Sequence, residues 1–281
     1  MFLNCGFGEP LSAVDLELVR SLGFSGIRQN VPTAGRAAEL VDNVLDAGLS
    51  AIFIVPVEDE GACQAVAHAV AERAVGRGLA HQAVLEVGNE EDLRAKRWAK
   101  DPTGWAALVR DVASIAWGHG GSALRVVSGG VSSVSRTALG WLARSRVREI
   151  PVAIGYHQYR STPPGEPLDG YDSRGAEFEA LRAAAAGRDL WCTESGWHTA
   201  PRSSGWGPFK RTWAYTDEQV LDFMTAEAVM NARAGALCFV QYQLADGPTA
   251  SDQDCFGIRT FHGAMKRSSL VAHRLNGMEA P

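Results

Sequence analysis

No predicted strand of this sequence carries a lysine, and no His-x-His, His-Glu-x-x-His or Cys/His cluster occurs in it. The first absence speaks against a Schiff-base aldolase and the second against a metal-dependent hydrolase, so neither a catalytic metal nor a cofactor is expected. Asp246, Asp252 and Asp254 lack the spacing of an EF-hand loop and read as solvated acids. The five cysteines (Cys5, Cys63, Cys192, Cys238, Cys255) form no Cys-x-x-Cys pair and read as reduced thiols. Basic charge is also short: 27 Lys and Arg against 32 Asp and Glu leave −5, which argues against a nucleic-acid-binding surface. No apolar run reaches the roughly 18 residues that cross a bilayer. No charged and apolar leader precedes the first strand-like run, "MFLNCGFG". The expectation is a soluble monomer without nucleic-acid or membrane partners, either cytoplasmic or a domain cut from a longer secreted protein. No low-complexity linker divides the 281 residues, so a single domain over 1–281 is expected.

Short apolar runs of strand length alternate with stretches of helical period along the whole chain. The strands fall near 2–6, 24–30, 50–56, 82–88, 124–128, 151–157, 189–193 and 235–242. The helices fall near 11–22, 35–47, 61–77, 103–118, 134–145, 174–186, 216–233 and 262–274. Ser12 and Thr216 stand where N-caps belong, Thr216 with Gln219 as a capping box, and Gly23, Gly48 and Gly187 stand where helices end. Repeated βα units predict an α/β protein of the closed (β/α)8 TIM-barrel type, since closure leaves no strand edge. The alternative, a doubly wound open sheet, needs a phosphate-binding turn, and "CGFGEP" lacks the third glycine.

In such a barrel, function gathers at the C-terminal strand ends. The fourth strand ends in "LEVGNEED" and the seventh in "LWCTESGWH". By alternation Leu190, Cys192 and Glu194 share a face, and strands four and seven lie roughly opposite, so Glu90 and Glu194 face each other across the mouth. Two such carboxylates suit glycosidic cleavage, one donating a proton while the other attacks the anomeric carbon. Read alone, an Asn-Glu pair after a strand is an N-cap and first-turn acid, and Glu91 and Asp92 are read that way.

"LEVGNEED" and "CTESGWH" resemble the acid/base and nucleophile motifs of clan A retaining glycoside hydrolases, the (β/α)8 cellulase-like superfamily. Arg28, the pair His157 and Tyr159, and "FVQYQLADGP" fall in the order that the superfamily uses, so the resemblance spans the chain. It implies a carbohydrate substrate and double displacement, with Glu90 as acid and then base and Glu194 as nucleophile. It also implies that Asn89 binds the sugar 2-hydroxyl. Arg28 and Tyr159 are the candidate donors to Glu194, and His157 orients Glu90 or a sugar hydroxyl. The bland readings stay open: Arg28 as a structural partner of Glu86, and His157 as a satisfied barrel histidine. Where the superfamily commonly has a tryptophan on strand eight, this chain has Gln241 and Tyr242, either of which would project into the sugar site.

The segment 195–215 is long for a βα loop and carries Trp197, Trp206, Phe209, Trp213 and Tyr215. Its rings either stack on sugar faces, with Trp197 foremost, or form an apolar cluster that pins the loop to the barrel rim. A barrel that has lost its activity and binds a glycan or a protein partner is the competing function. Its signature would be loss of one carboxylate, and both are present.

Overall fold

The computed structural model describes residues 1–281 apart from 7, 161, 169, 205–210, 250, 252–253 and 279–281, and only the backbone of 6, 202–204 and 211–213. Eight parallel strands form the central sheet: β1 (Phe2–Gly6), β2 (Gly26–Asn30), β3 (Ser50–Val55), β4 (Ala83–Val87), β5 (Arg125–Ser128), β6 (Ile154–Tyr159), β7 (Leu190–Gly196) and β10 (Ala236–Tyr242). A hairpin, β8 (Arg202–Ser204) and β9 (Arg211–Trp213), is inserted after β7. The helices are α1 (Ala13–Ser21), α2 (Ala34–Asp46), α3 (Glu60–Gly76), α4 (Pro102–Gly120), α5 (Arg136–Ser145), α6 (Arg174–Ala185), α7 (Asp217–Arg233) and α8 (Val271–Asn276).

Strand order is β5-β4-β3-β2-β1-β10-β7-β6. The ring closes between β5 and β6 without a continuous ladder, through isolated bridges of Val127 to Ala153 and of Val131 to Tyr156. The architecture is the expected single-domain (β/α)8 barrel. Among the described residues no helix is long and apolar enough to cross a membrane.

Two apolar layers follow from strands buried on both faces. The larger joins Leu3, Ile27, Phe53 and Leu85 to the helices. The smaller, Ile52, Val84, Val127, Trp191, Cys238 and Val240 with Phe2 and Ala153, comes from strands all round the sheet and so fills the interior of the ring. Gly26 makes room for it: a Cβ there would lie 2.5 Å from the Phe2 ring and 2.4 Å from the Ser50 carbonyl oxygen. One alternation further up the strands, the inward positions turn polar at Asn4, Arg28 and Glu86, which register beside Tyr242, Ile52 and Ile54.

Helix ends follow their local signals. Ser12 accepts the Asp15 N–H at 3.1 Å, and Thr216 and Gln219 form a reciprocal capping box. Gly23, Gly48 and Gly187 take φ of +83°, +71° and +81° just past their helices.

Three expectations need correction. Glu91 and Asp92 begin no helix, because α4 starts only at Pro102 under an Asp101 cap. The last helix is not 262–274: Gly263 takes φ +89° in a turn closed by the Thr260 and Ala264 backbones, and α8 begins at Val271 behind a 3-10 turn over Arg267–Leu270. Cys192 does not share a face with Glu194. It packs in the outer layer while Trp191 packs inside, and the register against β6 slips between Tyr156 and His157, so that Thr193 is the extra residue of a bulge.

Gly26→Ala is expected to cost about 1–3 kcal/mol through overpacking. Gly76→Ala, at the end of α3 with nothing within 4 Å of the new Cβ, is expected to stabilise by about 0.4–1 kcal/mol. Urea midpoints of the two variants should therefore move in opposite directions.

Candidate active site

A cavity of about 420 Å³ opens at the C-terminal end of the barrel, lined by Asn4, Arg28, Asn30, Ile54, Asn89, Glu90, Tyr159, Glu194, Tyr242 and Phe256. A larger one, about 580 Å³, lies at the opposite end around Trp117, Trp191 and Leu237, but Asp189 is the one carboxylate that lines it.

Arg28 organises the first cavity from below. Fully buried, it donates through Nε to Glu86 Oε2 at 2.5 Å and through Nη2 to Glu86 Oε1 at 3.1 Å and Asn89 Oδ1 at 2.7 Å, while Nη1 donates to Glu194 Oε1. Arg28 therefore meets both of its expected partners: one edge binds Glu86 and the other reaches Glu194. Burial opposes the Arg28 charge, yet Glu86 and Glu194 overcome that and raise its pKa.

Glu194 rises into the mouth from the β7 bulge. Tyr159 donates to its Oε2 at 2.5 Å and Asn4 Nδ2 to its Oε1 at 3.4 Å. Burial alone would raise its pKa; the charges of His157 and Arg28, with the hydrogen bonds from Tyr159 and Arg28, outweigh that and hold it below the usual carboxylate range. Tyr159 is itself pushed up, by burial and by Glu194, and remains a neutral donor.

Glu90 has a different setting. Its backbone is left-handed, φ +59°, following Gly88 at φ +81°, an unusual conformation for a residue with a side chain. Its N–H donates to the Gly130 carbonyl at 2.9 Å, and its Oε1 lies 2.9 Å from His157 Nδ1. His157 also stands 3.7 Å from Glu194 Oε2 and so links the two acids. Burial disfavours its charge, but Glu194 and Glu90 prevail and raise its pKa. Gly130 permits this approach, since a Cβ there would fall 2.4 Å from His157 Nε2.

The remaining acids of "GNEED" hold loops. Glu91 accepts the Asn89 N–H at 3.3 Å and pairs with Lys96 at 3.7 Å, while Asp92 takes the Ser132 N–H at 2.7 Å and its hydroxyl at 2.6 Å. Glu91 thus braces the loop after β4 from within, and Asp92 ties that loop to the one after β5. Asp246 likewise pairs with Lys266 at 2.7 Å, and Asp252 lies outside the described residues.

Three expected binding residues do not line the cavity, His157 among them, which is buried beneath it against Glu90 and Glu194. Trp197 is 1% exposed and packs its ring 5.8 Å from that of Phe223 on α7, so the apolar-cluster reading describes it. Trp206 and Phe209 lie outside the described residues, as does the side chain of Trp213. Gln241 alternates outward, behind inward Val240, and donates to the Ser268 carbonyl at 3.1 Å. Tyr242 is the residue that lines the cavity, in edge contact with Tyr159 and Phe256 at 5.9 and 5.7 Å between centroids. Burial and Glu194 push its hydroxyl up to about 12.

Asn4, Asn30 and Phe256 also line the cavity, and the sequence reading assigns none of them a role in the site. Asn4 carried a usable signal, a polar residue in phase with Phe2 near the end of an apolar strand. Phe256 is far from any strand end, and it packs where a Cβ on Gly196 would come within 2.7 Å of its ring.

One oxygen of Glu90, one of Glu194 and a nitrogen of His157 lie within 4.8 Å of one another, as metal ligands would. The donors argue otherwise. Arg28, Asn4 and Tyr159 already occupy both oxygens of Glu194, and a buried guanidinium beside them repels a cation. The group fits a neutral ligand and a moving proton better than an ion.

No family model matches the chain, and no curated protein matches its sequence. Solved structures do resemble it. A monomeric β-xylosidase from Caulobacter crescentus is 16% identical with a TM-score of 0.69, over 100% of this chain and 68% of that one. A β-1,3-glucanosyltransferase from Rhizomucor miehei is 14% identical with a TM-score of 0.64, over 95% and 96% of the two chains. A broad-specificity endoglucanase from Ruminococcus flavefaciens is 14% identical with a TM-score of 0.62, over 96% and 87%. At these identities the likeness is one of fold.

Trp197→Ala should cost about 3–5 kcal/mol in chemical denaturation. The raised pKa of His157 gives a second test. A base whose pKa rises on folding contributes stability that is fully present below its ordinary value of 6.5 and lost as pH rises through the folded value. The stability difference between wild type and His157→Gln should therefore be larger in urea at about pH 5.5 than at about pH 8.5.

Proposed function

We propose that the chain is a retaining glycoside hydrolase that cleaves β-linked sugars, with Glu194 as nucleophile and Glu90 as acid and then base. One observation carries this reading: the two carboxylates share a barrel mouth with oxygens within 4.8 Å, in unlike electrostatic settings. An inverting pair leaves about 6.5–9.5 Å for a water between its groups, whereas a retaining pair stands about 5–5.5 Å apart. An approach of one oxygen of each acid to within 4.8 Å supports the retaining arrangement.

In the first step Glu194, kept anionic by Arg28, Asn4 and Tyr159, attacks the anomeric carbon. The glycosidic C–O bond breaks as protonated Glu90 gives its proton to the leaving oxygen, and a glycosyl ester forms on Glu194. In the second step Glu90 takes a proton from water, the water oxygen attacks the same carbon, and the ester bond breaks. Two inversions leave the configuration unchanged. His157, 2.9 Å from Glu90, holds the acid toward the shared space.

The Asn89 carbonyl is occupied by Arg28, which leaves its amide N–H groups to donate to the sugar 2-hydroxyl. Tyr242 and Phe256 form an aromatic wall for the apolar face of the ring. The activities of the structural neighbours, a β-xylosidase, a β-1,3-glucanosyltransferase and an endoglucanase, support a β-linked carbohydrate. A barrel without activity has no need for two carboxylates kept so close together.

Glu194→Gln should abolish turnover of every aryl β-glycoside tested. Glu90→Ala should keep the first step on a substrate with a good leaving group, accumulate the glycosyl-enzyme, and regain release with azide. Equal loss in both variants, without rescue, would overturn the assignment. Hydrolysis should persist in chelator.

A further inference from the structure

Strand β6 has two polar faces. Its inward residues His157 and Tyr159 touch Glu90 and Glu194. Its outward residues Tyr156 and Gln158, with Arg160 just beyond the strand, meet a buried polar ring that the proposed chemistry does not use. Arg160 pairs with Glu177 of α6, Arg174 of α6 bonds Glu177 at 2.6 Å and also pairs with Glu227 of α7, and Arg160 Nε stands 3.6 Å from Glu227. Four alternating charges thus close on themselves, with the Arg160, Glu177 and Glu227 side chains 0% exposed.

Neutral groups join the ring to the strand. Asn231 of α7 donates to Gln158 Oε1 at 2.8 Å and to Glu227 Oε1 at 3.1 Å, and it accepts from the Tyr156 hydroxyl. Gln158 donates to Glu177 at 3.0 Å. Burial lifts the Glu227 carboxyl to about 7 despite Arg174, a measure of how far water is excluded.

The place of β6 in the barrel explains why such a ring matters. On its β7 side β6 has a ladder, but on its β5 side only isolated bridges. A strand paired continuously on one side is less constrained in height, and a slip would move His157 and Tyr159 together. A buried ion ring of this kind adds little net stability over apolar packing, yet it fixes geometry sharply, because any displaced partner leaves a buried charge unpaired.

We propose that the Arg160, Glu177, Arg174 and Glu227 ring, coupled through Gln158 and Asn231, is a positioning device that fixes the height of β6 and hence the seating of His157 on Glu90 and Tyr159 on Glu194. The inference rests on the proposed roles of those acids. Tyr156, Gln158 and Asn231 are positioning residues and touch no substrate.

Asn231→Leu tests it without removing any ionisable group, and Tyr156→Phe is the milder companion if the first folds poorly. In folded protein, Asn231→Leu should lower kcat on an aryl β-glycoside by about tenfold or more while KM moves less than about twofold, with Tyr156→Phe smaller in the same direction. A lowered melting midpoint with kcat unchanged would make the ring merely structural and overturn the proposal. A second readout needs no turnover. The His157 imidazole, identified by loss of its signal in His157→Gln, should titrate about half a unit or more lower in Asn231→Leu by nitrogen-15 NMR as its contact with Glu90 loosens. An unmoved titration overturns the proposal. If wild type hydrolyses no glycoside, the function falls, and this titration alone decides the ring.

Discussion

Arg28 is the charge around which the upper barrel is arranged. A guanidinium inside a ring of strands is costly to desolvate unless its donors are matched, and here Glu86 and Glu194 supply two charges while Asn89 supplies a neutral acceptor. The planar fork makes this possible, since one edge lies against Glu86 and the remaining nitrogens reach outward. Glu86 is thereby fixed as counter-ion, and Asn89 turns its carbonyl inward and its amide toward the cavity. Glu194 keeps its charge in a place where burial would otherwise neutralise it. A lysine at position 28 would supply one point charge and could not hold all three partners.

The two carboxylates differ because their supports differ. Glu194 is gripped by an arginine, a tyrosine hydroxyl and an amide, all donors. Glu90 touches a histidine whose other neighbour is Glu194, so the imidazole charge depends on both acids. The pair is therefore linked through His157 as well as through space.

Most of the barrel was legible in the sequence because its local signals agree. Strand-length apolar runs, the Thr216 capping box and the glycines after α1, α2 and α6 each specify one conformation without help from distant residues. The polar strand ends were legible for the same reason: Arg28, Tyr159 and Tyr242 reach the cavity by alternation, while Asn89 and Glu90 reach it from the turn that Gly88 opens just past β4. What failed depends on tertiary contact. The β7 bulge at Thr193 is set by register against β6, so alternation through Cys192 misled although Glu194 still reached the mouth. Trp197 looked available because it follows a functional strand end, but Phe223 on a distant helix covers it. Glu91 and Asp92 looked like helix-start acids, and their true partners, Lys96 and Ser132, lie on loops that composition does not pair.

The inner layer of Phe2, Ile52, Val84, Val127 and Trp191 has one more consequence. It closes the barrel below Arg28, so the cavity has no exit along the barrel axis. Whatever enters from the C-terminal side must leave by the same side. In the proposed two-step displacement, the departing fragment and the incoming water would both pass through the C-terminal mouth, because the floor of the barrel leaves no route beneath it.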